Sequence, residues 1–501
     1  MRKKIVINDE TRLFIQSLDK NACEREYNYH SSVAVSDVRL SKSEGQKQYR
    51  QSDNKYDEFD LYNTMNGYIQ SGSSSLSTNY PYEKSILGKY FSTKCLFDMQ
   101  VHFGKCESDP GNFAKFDKAL IFKGVDLNSY NIATLIASDS ASRSKVTESS
   151  DFTFERMYEI SRPTFTLIES NVINDGPIID SFIYCDTLQC TNCKESSGIY
   201  YIQLVSCGND CQMVRVVYSY DLGASWRIHN ISICDNISCS QDFNTNIVKY
   251  NNLNYYFDIN VFSGNSLNQI INNGIHILSA TDIINTHINR AFGKYNSVFY
   301  ACSNGRILFF SDGTLNRVVN NKLSIHDNII DIHSSNGESF IAGSSQGKVY
   351  FGNINNEIEY LVIPNSGDVN SVYMLTECSY LASTGNSGGV VIRNGKVTKM
   401  KGVHGTITKF AFFNDDIGYC VSISGNKNHI WQSVDGGLNW QEIDKSLSTN
   451  YVITSIKICE YNHNFISISG RKMSSAVSVS DALNRELDWG CLGTGFAMIS
   501  K

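Results

Sequence analysis

Ser433 to Trp440 reads SVDGGLNW and Ser219 to Trp226 reads SYDLGASW, so the figure Ser-x-Asp-x-Gly-x-x-Trp occurs twice. Each residue type suits a tight turn between strands. Asp221 and Asp435 can accept backbone hydrogen bonds across the turn, Gly223 and Gly437 supply a positive φ, and Trp226 and Trp440 pack beneath the sheet. The figure predicts a structural rivet in a β fold, and the surrounding sequence shows what repeats around it.

From Gly176 onward seven first-strand signals recur: IIDSF, NIVKY, AFGKY, NIIDI, DVNSV, TITKF and VITSI. With Ile247, Phe292, Ile329, Val369, Ile407 and Ile453 taken as equivalent, the spacing stays close to the ~40–50 residues of a propeller blade. Second strands read YYIQLVS, YYFDIN, VFYACS, SFIAGS, YLASTG, YCVSIS and NFISIS. Third strands read VRVVYS, IHILSA, RILFFS, KVYFGN, VVIRNG, HIWQSV and AVSVSD. Shorter fourth strands follow in most units, as in SWRIH, LNRVV, IEYLV, KVTKM, NWQEI and LDWGC. The pattern predicts an all-β, seven-bladed β-propeller over residues 178–501, which manages its sheet edges by radial closure. A stacked β-sandwich is the competing topology, and the near-constant period argues against it.

Both Ser-x-Asp-x-Gly-x-x-Trp figures fall between a third and a fourth strand. They resemble Asp-boxes, the bacterial-neuraminidase (BNR) repeat of sialidases, sortilin-type receptors and the photosystem assembly-factor-like propellers of bacteria and large phages. The resemblance covers about Ile178 to Lys501, and the other units keep only fragments, SDGTLNRV at Ser311 and SDALNREL at Ser480. A sialidase would further imply an arginine triad, a Tyr/Glu nucleophilic pair, an acid/base Asp and a Phe/Tyr-Arg-Ile-Pro motif. The nearest stretch to the last, WRIH at Trp226 to His229, lacks the proline.

Glycoside hydrolysis needs two carboxyl groups flanking one bond, ~5–10 Å apart. Two places after each opening apolar residue stand Ser181, Lys249, Lys294, Asp331, Ser371, Lys409 and Ser455, a ring of three lysines and one acid. Glu338, Glu377 and Glu460 fall in turns instead. Lys249, Lys294 and Lys409 form a candidate site for an anionic ligand or an acidic partner loop. The competing reading is a solvated channel wall, because wet lysines need no partner.

Of 15 cysteines, seven fall in one stretch: Cys185, Cys190, Cys193, Cys207, Cys211, Cys234 and Cys239. Cys190-x-x-Cys193 followed by Cys207-x-x-x-Cys211 has the spacing of a zinc ribbon. The propeller places a strand of about 20 Å between those pairs, on opposite faces. Cys207, Cys211, Cys234 and Cys239 share one face, as a candidate structural zinc site, a pair of disulfides or unconnected thiols. With no signal peptide, thiols or metal are expected over disulfides. Cys302 and Cys420 read as small core residues.

The first part of the chain differs from the last. NDETRLFIQSLDK has a helix-like opening, and residues 1–80 are expected to be an extended, largely polar arm, serine-rich from Ser41. Residues 81–177 alternate as CLFDMQVHF, ALIFKGV, FTFERMYEI and FTLIES, a small β-rich collar domain. The whole chain, 501 residues, has a net charge of -6 and 12% aromatic residues, with 35 glycines and 5 prolines. Neither a nucleic-acid footprint nor membrane insertion is indicated. No phosphate-binding loop, His-Glu-x-x-His, Gly-x-Ser-x-Gly or EF-hand loop is present. GCLGTG, Gly490 to Gly495, ends a β array and reads as a closing turn, not a dinucleotide fingerprint.

These observations predict a non-enzymatic structural or interaction protein, a scaffold whose propeller displays loops while the arm anchors it to proteins of a larger assembly. A phage or virus particle (a virion) is the expected setting, with the cytoplasm as the other location. The alternatives are a carbohydrate- or receptor-binding adsorption module, with a glycan or surface receptor on the propeller, and a sialidase-like glycoside hydrolase.

Overall fold

The second strand of each repeat is rich in apolar residues, and in the structure these strands lie inside their sheets. Ser339–Ser344 is buried throughout, and Gly418–Ser424 nearly so. The computed structural model describes residues 12–18, 25, 27–29, 34–41, 68–80, 90–92, 96–104, 116–135, 145–185, 197–206, 212–221, 223–231, 247–250, 253–257, 275–278, 288–294, 297–303, 305–311, 314–319, 327–353, 355, 358–364, 366–385, 387–443, 447–459, 462–479 and 493–500. The chain divides into two units, Met1–Arg162 and Pro163–Lys501.

The first unit is built on one antiparallel sheet in the order Asn28–Tyr29, Arg12–Ser17, Phe97–Phe103, Lys118–Leu127, Lys145–Ser161, Tyr68–Tyr80, Ala34–Ser41. Asn131–Leu135 also pairs with the long Lys145–Ser161 strand. Leu13, Ile15, Met99, Val101, Leu120, Phe122, Phe152 and Phe154 form its core. Two expectations are corrected here. RLFIQS is a strand, because both of its faces are buried against the sheet, and tertiary packing overrides the local capping signal. Residues 1–80 supply four strands to the same sheet as the segment expected to be a separate collar, so the arm–collar division at residue 80 does not hold. Serine-rich YIQSGSSSLSTNY qualifies as a strand through its ladder with Lys145–Ser161 rather than through apolar content.

The second unit is a β-propeller, a succession of antiparallel meanders. Ile178–Cys185, Ser197–Ser206, Gln212–Ser219 and Arg227–Ile231 form the first sheet, and Ile247–Tyr250, Leu253–Phe257 and Ile275–Leu278 the next. Then come Ile288–Lys294, Ser297–Cys302, Ile307–Ser311 and Thr314–Val319, followed by Ile329–His333, Ser339–Ser344, Lys348–Asn353 and Glu359–Val362. Two further meanders, Val372–Thr376 to Lys396–Lys399 and Gly405–Phe412 to Leu447–Ser448, touch through a short parallel pairing of Ser387–Arg393 with Gly405–Phe412. Apolar clusters lie between successive sheets: Phe299 and Phe309 meet Phe340 and Ile332, Ile341 and Val349 meet Tyr380 and Ile392, and Leu381 and Val391 meet Trp431 and Trp440. Face-to-face burial of this kind holds these neighbouring sheets together.

The last sheet corrects the sequence reading. Its strands are Tyr451–Cys459, Asn462–Lys472, Thr494–Ser500 and, outermost, Phe165–Leu167. AVSVSD and LDWGC were expected as its third and fourth strands. Residues 476–479 carry no strand, and LDWGC lies outside the described residues. FTL, expected in the collar, instead closes the propeller: Met498 pairs with Leu167, Ile499 with Thr166 and Ser500 with Phe165. Ile178, Ile199 and Val217 of the first sheet then share a core with Phe465, Ala497 and Ile499 of the last. The segment leaving the closing strand is clasped by buried side chains. Gln203 Nε2 donates to Ile173 O and Gly176 O at 2.7 and 2.9 Å, and Arg215 donates to Val172 O at 2.9 Å while pairing with Asp175.

Candidate functional site

The same irregularity recurs in the first strands. A register shift separates Ile178 from Asp180, Ile288 from Arg290, Ile329 from Asp331, Ile407 from Lys409 and Ile453 from Ser455. A bulge sets two residues opposite one and re-aims the side chain that follows. The structurally equivalent set is therefore Asp180, Arg290, Asp331, Lys409 and Ser455, with Ser371 in the strand lead of the intervening sheet. The expected ring contained Ser181 and Lys294 at two of these places. Lys294 is the last residue of its strand, paired with Ser297, four positions beyond Arg290. Its side chain and that of Lys249 lie outside the described residues.

These polar groups tie neighbouring sheets together. Asp331 Oδ2 accepts from Val372 N of the next sheet at 3.0 Å, and Oδ1 lies 3.5 Å from Arg290 Nε of the preceding one. Asp180 Oδ1 accepts from Ser455 Oγ and from Ser181 N at 2.9 and 2.8 Å, and Ser181 Oγ donates to Ser455 Oγ at 2.9 Å. Lys457 Nζ stands 3.9 Å from Asp180. His333 Nδ1 accepts from Met374 N at 3.2 Å, across the same pair of sheets that Asp331 joins. A backbone N–H is an obligate donor, so this ring nitrogen carries no proton and Nε2 carries it.

One step along the strands, aromatic rings follow one another around the wall. Phe292 and His333 have centroids 4.3 Å apart, His333 and Tyr373 3.9 Å, and Tyr373 and Phe412 5.2 Å. Together with Arg290, Lys409 and Lys457 they line a cavity of about 480 Å³, within the range of small-ligand sites. Asp331 and Asp415 are the acids on its wall. Ser181 and Asp180 belong to the adjoining fastener. Glu338 is exposed, and Glu377 accepts from Asn336 Nδ2. Neither lines the cavity. The sequence signal for the missed members, Arg290, His333 and Lys457, was the period itself: Ile288 stands 41 residues from both Ile247 and Ile329, more regular than the Phe292 alignment.

The two Ser-x-Asp-x-Gly-x-x-Trp turns lie between third and fourth strands and share one hydrogen-bond scheme. Ser219 Oγ donates to Asp221 Oδ1 at 2.7 Å and accepts from Gly223 N at 2.8 Å, while Ser225 N donates to Asp221. Ser433 Oγ donates to Asp435 Oδ1 at 2.9 Å and accepts from Gly437 N at 3.0 Å, while Asn439 N donates to Asp435. Gly223 and Gly437 have φ of 88° and 84°. Trp440 Nε1 donates to Gly437 O at 2.7 Å, and the Trp226 ring packs tilted against Tyr201 with centroids 5.5 Å apart. Hydrogen bonds, chiefly from Ser225, hold the exposed Asp221 carboxyl down to about 2, whereas burial raises that of Asp435.

Cys190, Cys193, Cys207, Cys211, Cys234 and Cys239, and the side chain of Cys185, lie outside the described residues, so the candidate zinc site is not described. Among the described residues no group of three or more His, Cys, Asp or Glu is arranged to hold a metal ion. Cys302 and Cys420 are free and buried in strands, and burial pushes the Cys302 thiol up to about 12. Cys378 and Cys459 are disulfide-bonded, and neither belongs to the cysteine cluster singled out in the sequence. No described helix is long and apolar enough to cross a membrane.

No family model matches the chain, and no characterised protein matches its sequence. Similar solved structures are U3-55K, at 10% identity and a TM-score of 0.41, covering 67% of this chain and 98% of that one. The RRP9 WD40 repeats follow at 9% identity and 0.42, covering 68% and 100%. The WD40 β-propeller domain of Doa1 follows at 9% identity and 0.42, covering 68% and 97%.

Proposed function

We propose that this protein is a non-enzymatic interaction scaffold, a propeller that displays its loops to protein partners while the N-terminal unit joins it to a larger assembly. The observation that carries the reading is the commitment of two first-strand acids, Asp331 and Asp180. Asp331 is occupied by Val372 N and Arg290, and Asp180 by Ser455 and Ser181. Carboxyl groups bound into sheet-to-sheet fasteners serve rigidity, and a rigid ring is what loop display requires. We take the ring to have seven blades, from the seven first-strand signals, and its paired turns to be Asp-boxes, from their residues and their placement between third and fourth strands. The setting in a phage or virus particle rests on the sequence resemblance.

The test uses the full chain as bait against proteins from source lysate or particles, followed by direct binding with each purified candidate. A stable complex with an assembly protein is the expected result. Retention of glycans alone, with no protein partner, would move the adsorption reading into first place.

A further inference from the structure

The outer edge of one propeller sheet is open. In the sheet of Ile329–His333, Ser339–Ser344, Lys348–Asn353 and Glu359–Val362 the last strand is the edge, and among the described residues no strand pairs with its far side. The register fixes which main-chain groups point there. Ile363 N donates to Gly347 O at 2.9 Å, with Val362 opposite Lys348 and Tyr360 opposite Tyr350. Hydrogen-bonded pairs alternate with non-bonded ones in an antiparallel ladder, so Glu359 and Leu361 bond inward while the N–H and C=O groups of Tyr360 and Val362 turn outward. The same two residues are 53% and 54% exposed. Sheet edges are commonly guarded by lysine, and the outer strand of the next sheet, Lys396–Lys399, has one at each end. Glu359–Val362 has none. The nearby Lys348 is held by the fully buried Asp327 at 3.2 Å and lies over the Tyr360 ring.

Charge beside this edge is acidic. Glu359 and Glu377 are exposed, and the Glu377 carboxylate accepts only from the neutral Asn336 amide. Burial, then the Glu377 and Glu359 carboxylates, push the Tyr380 hydroxyl up to about 12, so both acids stand beside one ring. Side chains alternate along the strand: Tyr360 and Val362 share one face, while Glu359 lies on the other with Leu361, which packs near Val349 and Tyr380. We propose that the outer edge of Glu359–Val362 receives an extended segment of a partner protein, alternating apolar with basic residues, as a fifth strand. Its main chain would meet the outward groups of Tyr360 and Val362, its apolar residues their side chains and its basic residues Glu359. A second copy of this chain fits less well, because it would bring the same acids together. The inference names a surface and a partner chemistry for the scaffold reading and rests on it.

The test titrates a labelled octapeptide of alternating lysine and valine with the full-length protein and reads fluorescence anisotropy. Saturable binding that weakens as salt rises is expected. Octapeptides alternating glutamate with valine, or lysine with serine, keep half of the pattern and should each bind about tenfold more weakly. Val362→Lys removes an apolar contact and installs the usual edge guard, and should reduce affinity about tenfold. Glu359→Gln should reduce it severalfold. Lys399→Gln, on the guarded edge of the next sheet, should bind as wild type. If Val362→Lys does not fold, Glu359→Gln at its exposed position carries the test. No saturable binding of the lysine–valine peptide, or equal binding by wild type and the folded edge variants, would overturn the proposal. Dimerisation of the wild type that Val362→Lys abolishes would overturn it too, by giving the edge to a second copy. An assembly protein that still binds the full chain would then keep the scaffold reading in place.

Discussion

Two turns of the same sequence figure live in different surroundings, and the contrast separates what a motif specifies from what its neighbours add. At 219–226 and 433–440 the serine, aspartate and glycine make matching hydrogen bonds, so the local conformation belongs to the motif. The energetics do not. Trp440 is buried in the core between two sheets, whereas Trp226 is half-buried at the edge of its cluster. Asp435 is buried and Asp221 exposed, and their carboxyl groups shift in opposite directions.

The largest expected difference comes from the tryptophans. Trp440→Ala removes a fully buried aromatic together with its bond to Gly437 O, and should cost about 3–5 kcal/mol in chemical denaturation. Trp226→Ala should cost about 1–3 kcal/mol, because less of its surface leaves water. Equal losses would break the comparison.

The glycines should sharpen it. Both hold a positive φ, which alone costs a non-glycine residue roughly 1–3 kcal/mol. A methyl group on Gly437 would also meet Leu381 Cδ2 at 2.6 Å, whereas on Gly223 the nearest atom, Trp226 Cζ2, is 3.3 Å away. Gly437→Ala should therefore lower the melting temperature more than Gly223→Ala, with the excess set by overpacking.

The smallest effect is in pH dependence, and its sign differs between the turns. Asp221 has a depressed folded pKa, so its stabilisation is present above the unfolded value near 3.8 and is lost as pH falls toward about 2. Asp435 has a raised folded pKa, so its contribution is full below the unfolded value and is lost as pH rises through the folded one. Carboxyl NMR titration should show Asp435 protonating at the higher pH. In unfolding measurements Asp221→Asn should flatten the acid limb, while Asp435→Asn should remove a slope of the opposite sign.

How much was legible in the sequence follows the same division. Local patterns placed the strands of the middle repeats and the two turns, because alternation and turn chemistry are written in neighbouring residues. The closing strand Phe165–Leu167 was missed because its partner, Thr494–Ser500, lies more than three hundred residues away and nothing in FTL marks it as an outer strand. The inner ring slipped because INRAFGK offers two apolar openings, Ile288 and Phe292, and only the shared bulge shows which one starts the sheet. The polar strands within residues 1–80 could not be read, since a ladder with a long neighbour, not apolar content, defines them.

The central claim is that Asp331 and Asp180 are fasteners and not catalytic groups. It is tested most directly by assaying the purified full chain on a panel of fluorogenic glycosides alongside Asp331→Ala. The account predicts no turnover by either protein, with the variant less stable because Val372 N loses its acceptor. Turnover by the wild type that disappears in a folded Asp331→Ala protein would contradict it.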